Sequence, residues 1–262
     1  MIYDYQFIKV RIEKGVFKLT LNRPEQLNSI IMPMAEEIQR ALDDANTHPN
    51  VRALLITGEG KGFCAGQDLK EVLDSQDLKI DEIVRSTYNP IVTKIREIPK
   101  PVICAVNGVA AGAGASLAFV CDVTLAAQST NFILAFSKIS LIPDSGATYF
   151  LPRILGMQKA MALAMLAEPF SANKAVEMGL IYQVVPDNEL IEKSELLAIR
   201  LATLPTRALG LCKKAFNASW GNSLDDQLEM EAYLQAEAAL SADHREGVMA
   251  FLEKRNPHFT GL

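Results

Sequence analysis

Residues 101–148 constrain the fold more than any other part of the chain, because a strand, a glycine-rich turn and a helix follow one another there. The apolar run at residues 102–106 predicts a buried strand, and Asn107-Gly108 predicts a loop after it. Gly112-Ala113-Gly114 then leads into residues 115–120, whose apolar character predicts a buried helix. A helix that begins at such a turn presents unpaired backbone N–H groups, which suit an anion or a developing negative charge.

A second turn of this kind lies at residues 63–69, after a short apolar strand predicted at residues 53–57. If the turns at Ala65-Gly66 and Ala113-Gly114 converge, their N–H groups would bracket one carbonyl oxygen and stabilise an enolate or a tetrahedral oxyanion. The alternative is that the small residues only let helix and sheet approach each other closely.

Asp144, in a tight turn after Pro143, is the candidate acid/base residue. Its alternative role is the N-cap of a helix starting at about Ser145. We expect burial beside Phe136 and Leu141 to raise the pKa of the Asp144 carboxyl group.

The composition excludes several classes of protein. The 262 residues are 49% hydrophobic and 22% charged, as in an ordinary globular protein, and carry a net charge of −5. That charge, without any run of Lys and Arg, argues against a nucleic-acid partner. The start has no signal-peptide pattern, and no apolar run reaches the roughly 18 residues of a membrane span. We therefore expect a cytoplasmic protein without a membrane partner.

The sequence gives little support for a redox, metal-binding or nucleotide-binding function. The four cysteines lie far apart without a Cys-x-x-Cys pair, which predicts free thiols, three of them in apolar surroundings. The three histidines lie in polar segments, so we expect no metal site. Leu117 stands where the third glycine of a dinucleotide fingerprint would fall.

Nearly apolar strands alternate with helices over the first part of the chain, which predicts an α/β fold with a sheet covered on both faces. A hairpin is predicted at residues 7–12 and 16–21, and a helix behind Pro33. Residues 71–98 are predicted to be helical, with Asp74, Asp77 and Asp81 in a polar stretch that is hard to interpret.

Beyond residue 151 the pattern is helix after helix. Ser171 is predicted to cap a helix that Gly179 closes, and capping-box spacing at Ser223 and Asp243 predicts two more helix starts. We predict a core at residues 1–204 and a helical appendage at residues 205–262 that packs across a subunit boundary.

Three motifs carry a resemblance to a known family: GFCAGQDLKE at residues 62–71, VNGVAAGAGASLAFVCD at 106–122 and LIPDSGATYFLPRILG at 141–156. Together they resemble the crotonase, or enoyl-CoA hydratase/isomerase, superfamily. Within it the chain is most similar to the 1,2-epoxyphenylacetyl-CoA isomerases (PaaG type), through residues 135–138, 142–144 and 259–261.

The resemblance implies a spiral of repeated ββα units with a C-terminal helical trimerisation region, assembled as a trimer or a dimer of trimers. It implies an acyl-CoA thioester as ligand, with the carbonyl oxygen held by the N–H groups of Ala65 and Ala113, and no metal or redox cofactor. The coenzyme A site would include Phe251 and Lys254 from a neighbouring subunit. Its remaining implied members are Ala65, Gly66, Gln67, Asp68, Leu69, Ala113 and Gly114.

The acid/base residues decide the activity that the resemblance implies. Hydratases similar to this chain use two glutamates, and the matching positions hold Ser116 and Phe136, which cannot act as bases. The single carboxylate Asp144 matches the aspartate of several isomerases and would carry a proton along the acyl chain. Alternatives are a hydratase-like enzyme of other acyl specificity, a dehalogenase-like enzyme with Asp144 as nucleophile, and a silent acyl-CoA-binding subunit.

Overall fold

The computed structural model describes residues 4–74 and 79–262, and within them ten strands form two sheets. The larger sheet has six strands in the order β1-β2-β3-β5-β7-β10, and the smaller has four in the order β4-β6-β8-β9. The strands are β1 Ile8–Glu13, β2 Val16–Leu21, β3 Ala53–Gly58, β4 Gly62–Cys64, β5 Val102–Val106, β6 Val109–Ala111, β7 Val123–Ala127, β8 Asn131–Ile133, β9 Phe170–Ser171 and β10 Gln183–Val185.

The chain forms a spiral that passes alternately through the two sheets. Each turn of the spiral places one strand in the large sheet and the next in the small sheet, so that β3, β5 and β7 lie parallel in one and β4, β6 and β8 lie parallel in the other. Only the outer pairs, β1 with β2 and β8 with β9, are antiparallel among the described strands. The repeated ββα architecture implied by the family resemblance is confirmed.

Helices cover the faces of the large sheet and form the C-terminal part of the chain. Short 3₁₀ turns lie at Pro24–Gln26, Ala135–Ile139 and Asp187–Glu189, and a π-helical turn at Val84–Tyr88. In the described residues the α-helices are α1 Met32–Thr47, α2 Leu69–Asp74, α3 Ile80–Ile83, α4 Asn89–Glu97, α5 Ala113–Val120, α6 Ala147–Leu155, α7 Met157–Leu166, α8 Ala172–Glu177, α9 Leu190–Thr203, α10 Thr206–Ser219, α11 Leu224–Ala239 and α12 Ala242–Glu253.

The core lies between the two sheets and around α5. Every residue of α5 is buried, as its largely apolar sequence predicted. Phe119 of α5 packs against Phe132 of β8, with ring centroids 5.1 Å apart, and Phe170 of β9 completes the cluster. All residues of β3 and β5 are buried because α9 covers one face of the sheet and the main core the other.

The elements agree with the sequence predictions apart from three points. The strand β6 lies where only a loop was predicted, since three residues are too few to show an alternating pattern. The region predicted as helical at residues 71–98 consists of α2, α3, the π-helical turn and α4, and Asp77 lies outside the described residues.

The third point is Asp243, whose predicted capping role is wrong. Ser241 caps α12 by accepting the N–H of His244 at 3.0 Å. The buried Asp243 carboxylate instead accepts the N–H groups of Thr260 at 2.6 Å and Gly261 at 2.7 Å, so it holds the C-terminal tail. Ser171 and Ser223 cap α8 and α11 as predicted.

Residues from 205 onward form α10, α11, α12 and the tail. One link to the preceding part is ionic: Lys213 Nζ of α10 lies 2.7 Å from Asp122 Oδ2, and Asp122 Oδ1 accepts from Arg96 at 3.2 Å. Three cysteines (Cys64, Cys104 and Cys121) are buried free thiols, as expected, and Cys212 is exposed. Within residues 4–74 and 79–262, no helix is long and apolar enough to cross a membrane.

Candidate active site

A cavity of about 200 Å³ opens where the turns after β4 and β6 face the segment that follows β8. The two turns are called its floor, and Asp144 also lines it. Side chains of α3 and the π-helical turn form an apolar wall. The lining residues are Ala65, Gly66, Gln67, Leu69, Val72, Ile80, Ile83, Val84, Tyr88, Gly112, Ala113, Ala135, Phe136, Lys138, Ile139, Leu141 and Asp144.

The two glycine-rich turns converge, as the sequence predicted. Gly66 has φ +87°, and a Cβ added there would lie 2.8 Å from the Ala111 carbonyl oxygen and 3.3 Å from the Ala113 nitrogen. The backbones of the two turns are therefore in contact, and position 66 has neither the conformation nor the space for a side chain. This contact sets the amide of Ala113 beside the segment at residues 65–67.

Ala65 is not the first oxyanion donor, and the prediction that its N–H serves this role is wrong. The N–H of Ala65 already donates to the Leu27 carbonyl oxygen at 3.0 Å. The next residues pair with Ile30, since the Gly66 carbonyl accepts from Ile30 at 2.7 Å and the N–H of Asp68 donates to Ile30 at 3.0 Å.

Gln67 lies between these two bonds, so its own N–H points away from Ile30, toward the side on which the cavity lies. Among the described residues, no protein group accepts the N–H of Gln67 or of Ala113. The candidate donors are therefore Gln67 and Ala113. The pairing with residues 27 and 30 is non-local and could not be inferred from the motif.

Asp144 faces the cavity from a strained turn. Ser145 has φ +53° and Gly146 has φ +80°, and α6 begins only at Ala147, with Gly146 at its N-cap position. No side chain caps this helix, so the alternative role of Asp144 as an N-cap is wrong. The Asp144 carboxylate instead accepts the Ser145 hydroxyl at 2.9 Å. A left-handed residue other than glycine costs on the order of 1 kcal/mol and is typical of functional sites.

Burial raises the pKa of the Asp144 carboxyl group above its ordinary value, while the hydrogen bond from Ser145 opposes the shift. The predicted direction is confirmed. A carboxylate with a raised pKa binds a proton more readily, which suits a group that must both remove and return one.

At the two positions where similar hydratases have glutamates, this chain places no side chain in the cavity that could accept a proton as a base. Ser116 is fully buried within α5, where its hydroxyl donates to the Gly112 carbonyl at 3.2 Å. Phe136 lines the cavity, and its ring tip lies 3.8 Å from where a Cβ on Gly112 would be.

Only some of the residues that the family resemblance implies for coenzyme A binding line the cavity. Gly66, Gln67, Leu69 and Ala113 line the cavity with Ala65. Gly114 lies behind the floor against Cys64.

Asp68 does not line the cavity, because its carboxylate is paired with Arg23 at 2.9 Å. Burial alone would raise the pKa of Asp68, but the hydrogen bonds from Arg23 and the N–H of Lys70 lower it overall.

Phe251 and Lys254 are not brought to the cavity within one chain. Phe251 lies on α12, is 84% exposed and borders a separate surface groove, and Lys254 ends the same helix. Their contribution from a neighbouring subunit stays a prediction.

Comparisons with known proteins agree with this geometry. A profile of the enoyl-CoA hydratase/isomerase family matches residues 11–262. The 1,2-epoxyphenylacetyl-CoA isomerase of Escherichia coli (strain K12) is 50% identical over 261 residues, covering 98% of this chain and 99% of that protein. A Rhodobacter capsulatus protein named "Probable enoyl-CoA hydratase" is 46% identical, covering 98% of this chain and 99% of that protein.

The similarity extends to solved structures. The crystal structure of enoyl-CoA hydratase from Bacillus anthracis matches with a TM-score of 0.94 at 35% identity, over 98% of this chain and 100% of that one. Because sequence and fold agree over nearly the whole length, the chain belongs to the enoyl-CoA hydratase/isomerase family of the crotonase superfamily.

Proposed function

We propose that this protein is an acyl-CoA isomerase in which Asp144 carries a proton between two carbons of the acyl chain. The N–H groups of Gln67 and Ala113 would hold the thioester oxygen while negative charge develops on it. Hydratase or isomerase activity on acyl-CoA esters follows from the family, and the choice of isomerase is the proposal.

The proposal of an isomerase rests on which side chains lining the cavity could act as a base. Asp144 is the one carboxylate among the described lining residues, and Phe136 occupies a place where hydratases similar to this chain have a glutamate. Addition of water requires a group to activate the water and a group to protonate the carbon. A proton shift needs one group that does both in turn.

The proton shift can be written for a 3-enoyl thioester. Asp144 removes a proton from C2, and the electron pair of the broken C–H bond spreads onto the thioester oxygen between the two N–H donors. The protonated Asp144 then delivers the same proton to C4, so that the double bond moves from C3–C4 to C2–C3. Each preorganised oxyanion donor contributes about 3–4 kcal/mol to such a barrier reduction. The reaction requires no metal or redox cofactor.

The substrate class follows from the apolar wall and from the relatives. Ile80, Ile83 and Val84 face the cavity with Phe136, and such a surface suits a hydrocarbon chain or ring. The E. coli relative is named for 1,2-epoxyphenylacetyl-CoA. We propose the same ring epoxide, isomerised to its oxepin, as the natural substrate, with enoyl-CoA esters as further substrates.

The assembly is proposed from the C-terminal helices. Large apolar side chains remain exposed on residues 205–262, among them Tyr233 at 66%, Leu240 at 83% and Phe251 at 84%. Several large exposed apolar side chains in one region are typical of subunit interfaces. We propose that residues 1–204 form the catalytic core, that this region joins the chains into a trimer or a dimer of trimers, and that it brings Phe251 and Lys254 to a neighbour's coenzyme A.

The test is turnover of 3-enoyl-CoA esters and the ring epoxide by the wild type and by Asp144→Asn, with calorimetric binding of the same esters as control. Asparagine keeps the size of aspartate and cannot act as a base. We expect kcat to fall at least about a hundredfold while binding is retained.

Other outcomes would contradict the proposal. Hydration of 2-enoyl-CoA by both forms at equal rates would show a hydratase that does not use Asp144. Binding of every ester without turnover would favour a silent acyl-CoA-binding subunit.

A further inference from the structure

The side chain of Gln67 is held at both ends of its amide group. Its Oε1 accepts a hydrogen bond from the Tyr88 hydroxyl at 2.8 Å, and its Nε2 donates to Glu71 Oε2 at 3.0 Å. The other oxygen of Glu71 accepts the N–H of Met32 at 2.9 Å. One chain of hydrogen bonds thus joins the π-helical turn, the cavity floor, α2 and the start of α1.

The direction of each bond in this chain is fixed by chemistry. The Glu71 carboxylate accepts hydrogen bonds, so the nitrogen end of the Gln67 amide faces it. The oxygen end then faces Tyr88, whose hydroxyl must donate. Tyr88 is only 1% exposed, and burial raises its pKa well above the ordinary value of a phenol, so the donor proton is retained.

Tyr88 ends an irregular helical segment. Residues Val84–Tyr88 form a π-helical turn between α3 and α4, and such turns are frequent at functional sites. Gln39 of α1 braces the turn by donating to the Ser86 carbonyl at 2.8 Å.

We propose that Tyr88 and Glu71 are positioning residues, which act through the side chain of Gln67 to aim its backbone N–H at the thioester oxygen. This inference rests on the proposed function, in which that N–H is an oxyanion donor. The side chain and the N–H share one Cα atom, and the neighbouring peptides are fixed by Ile30, so a clamped side chain restricts rotation of the donor. The contribution of an oxyanion donor depends on this preorganisation.

The kinetic test compares Tyr88→Phe with Gln67→Met. Phenylalanine removes only the hydroxyl, and methionine keeps the length of glutamine and its backbone N–H but neither side-chain hydrogen bond. We expect each variant to lower kcat about tenfold, less than the hundredfold or more lost with a whole donor. KM should stay within about twofold of the wild-type value. The pH dependence of kcat, which Asp144 sets, should match the wild-type profile within error.

The double variant supplies the decisive comparison. Because both substitutions break the same hydrogen bond, Tyr88→Phe with Gln67→Met should be no slower than Gln67→Met alone. Multiplied losses, or an unchanged kcat in Tyr88→Phe, would overturn the inference. Tyr182→Phe, at a site 67% exposed and outside the cavity, is the matched control and should be fully active.

A second readout does not depend on turnover. Infrared difference spectra of bound acetyl-CoA, carbon-13 labelled at the carbonyl, report how strongly the donors polarise the thioester. We expect a shift to lower frequency in the wild type and in Asp144→Asn, and a smaller shift in Tyr88→Phe. A wild type that polarises the carbonyl without isomerising any ester would refute the proposed function alone, whereas equal shifts in wild type and Tyr88→Phe would refute the positioning role.

Discussion

The carbonyl oxygen of Cys64 occupies the space that a side chain at position 114 would need, because a Cβ on Gly114 would lie 2.2 Å from it. The restriction is mutual, since a Cβ on Gly66 would lie 2.8 Å from the Ala111 carbonyl oxygen. Each turn therefore needs a glycine, because the backbone of the other turn fills the space that a side chain would occupy. This close approach, next to the pairing of β4 with β6, is what places the N–H groups of Gln67 and Ala113 at one site.

The role of the Ala113 amide can be tested with proline, which has no backbone N–H and places a ring carbon where that hydrogen was. Ala113 is the first residue of α5, a position that tolerates proline because its N–H has no partner within the helix. We expect Ala113→Pro to lower kcat about 10²–10³-fold, the usual cost of losing one oxyanion donor. Steady-state isomerisation with melting curves measures this.

The matched control is Ala113→Gly, which keeps the N–H and should retain activity within several-fold. A folded Ala113→Pro enzyme with wild-type kcat would show that this amide is not a donor.

The raised pKa of Asp144 predicts opposite effects of Asp144→Asn on activity and on stability. At low pH the carboxyl group is protonated in the folded and the unfolded chain, so the substitution changes little. As the pH rises, the unfolded chain ionises first, while the folded chain holds a partly buried carboxyl group that resists ionisation. The wild type therefore loses stability between the ordinary pKa and the raised one. We expect Asp144→Asn to melt at a higher temperature than the wild type at pH 7, with little difference near pH 3.

Asp187→Asn provides a comparison of opposite sign. The Asp187 carboxylate accepts the N–H of Ser129 at 3.0 Å, and this hydrogen bonding lowers its pKa. Its ionised form is thus favoured by folding, so Asp187→Asn should lower the melting temperature at pH 7 and lower it less at pH 3. The same pH trend in both variants would rule out this explanation.

Lys213 is predicted to be the main ionic link between the C-terminal helices and the core. Its side chain is 8% exposed, and Nζ contacts Asp122 Oδ2 at 2.7 Å and the Ile95 carbonyl at 2.6 Å. Lys213→Met would leave Asp122 with Arg96 as its remaining cationic partner. We expect a loss of about 3 kcal/mol in the free energy of unfolding, at the low end for breaking a buried pair.

Denaturant unfolding measures that loss, and size-exclusion chromatography shows whether assembly weakens with it. Lys214→Met is the control, because Lys214 is the exposed neighbour on the same helix and should change stability by less than about 0.5 kcal/mol. Equal effects of the two substitutions would refute the ionic link.

The order of most strands and helices could be predicted from the sequence because its signals are local, whereas the spiral was implied only by the family resemblance. The apolar runs at β3 and β5, the glycines of both turns and the apolar α5 are short-range patterns that predict buried strands, tight turns and a buried helix. Asp144 was also identified from its turn and from the family motif.

The site residues that the sequence assigned wrongly or missed depend on distant partners. Ala65 was predicted to be the oxyanion donor. Because Leu27 and Ile30 pair with this segment, the N–H of Gln67 is the one left available. The Tyr88 hydroxyl could not be linked to Gln67, since a π-helical turn has no clear sequence signature. Asp243 has the spacing of a cap, yet the C-terminal tail returns to occupy its carboxylate.

The sequence by itself determined most of the strands, turns and helices, though not β6, and it identified Asp144 as the candidate acid/base residue. The tertiary structure alone decided which backbone N–H groups remain without a protein partner, because a donor is left available only after every nearby carbonyl has been placed. The raised pKa of Asp144 was expected from the sequence, but its cause, burial of the carboxyl group, is a property of the packed cavity.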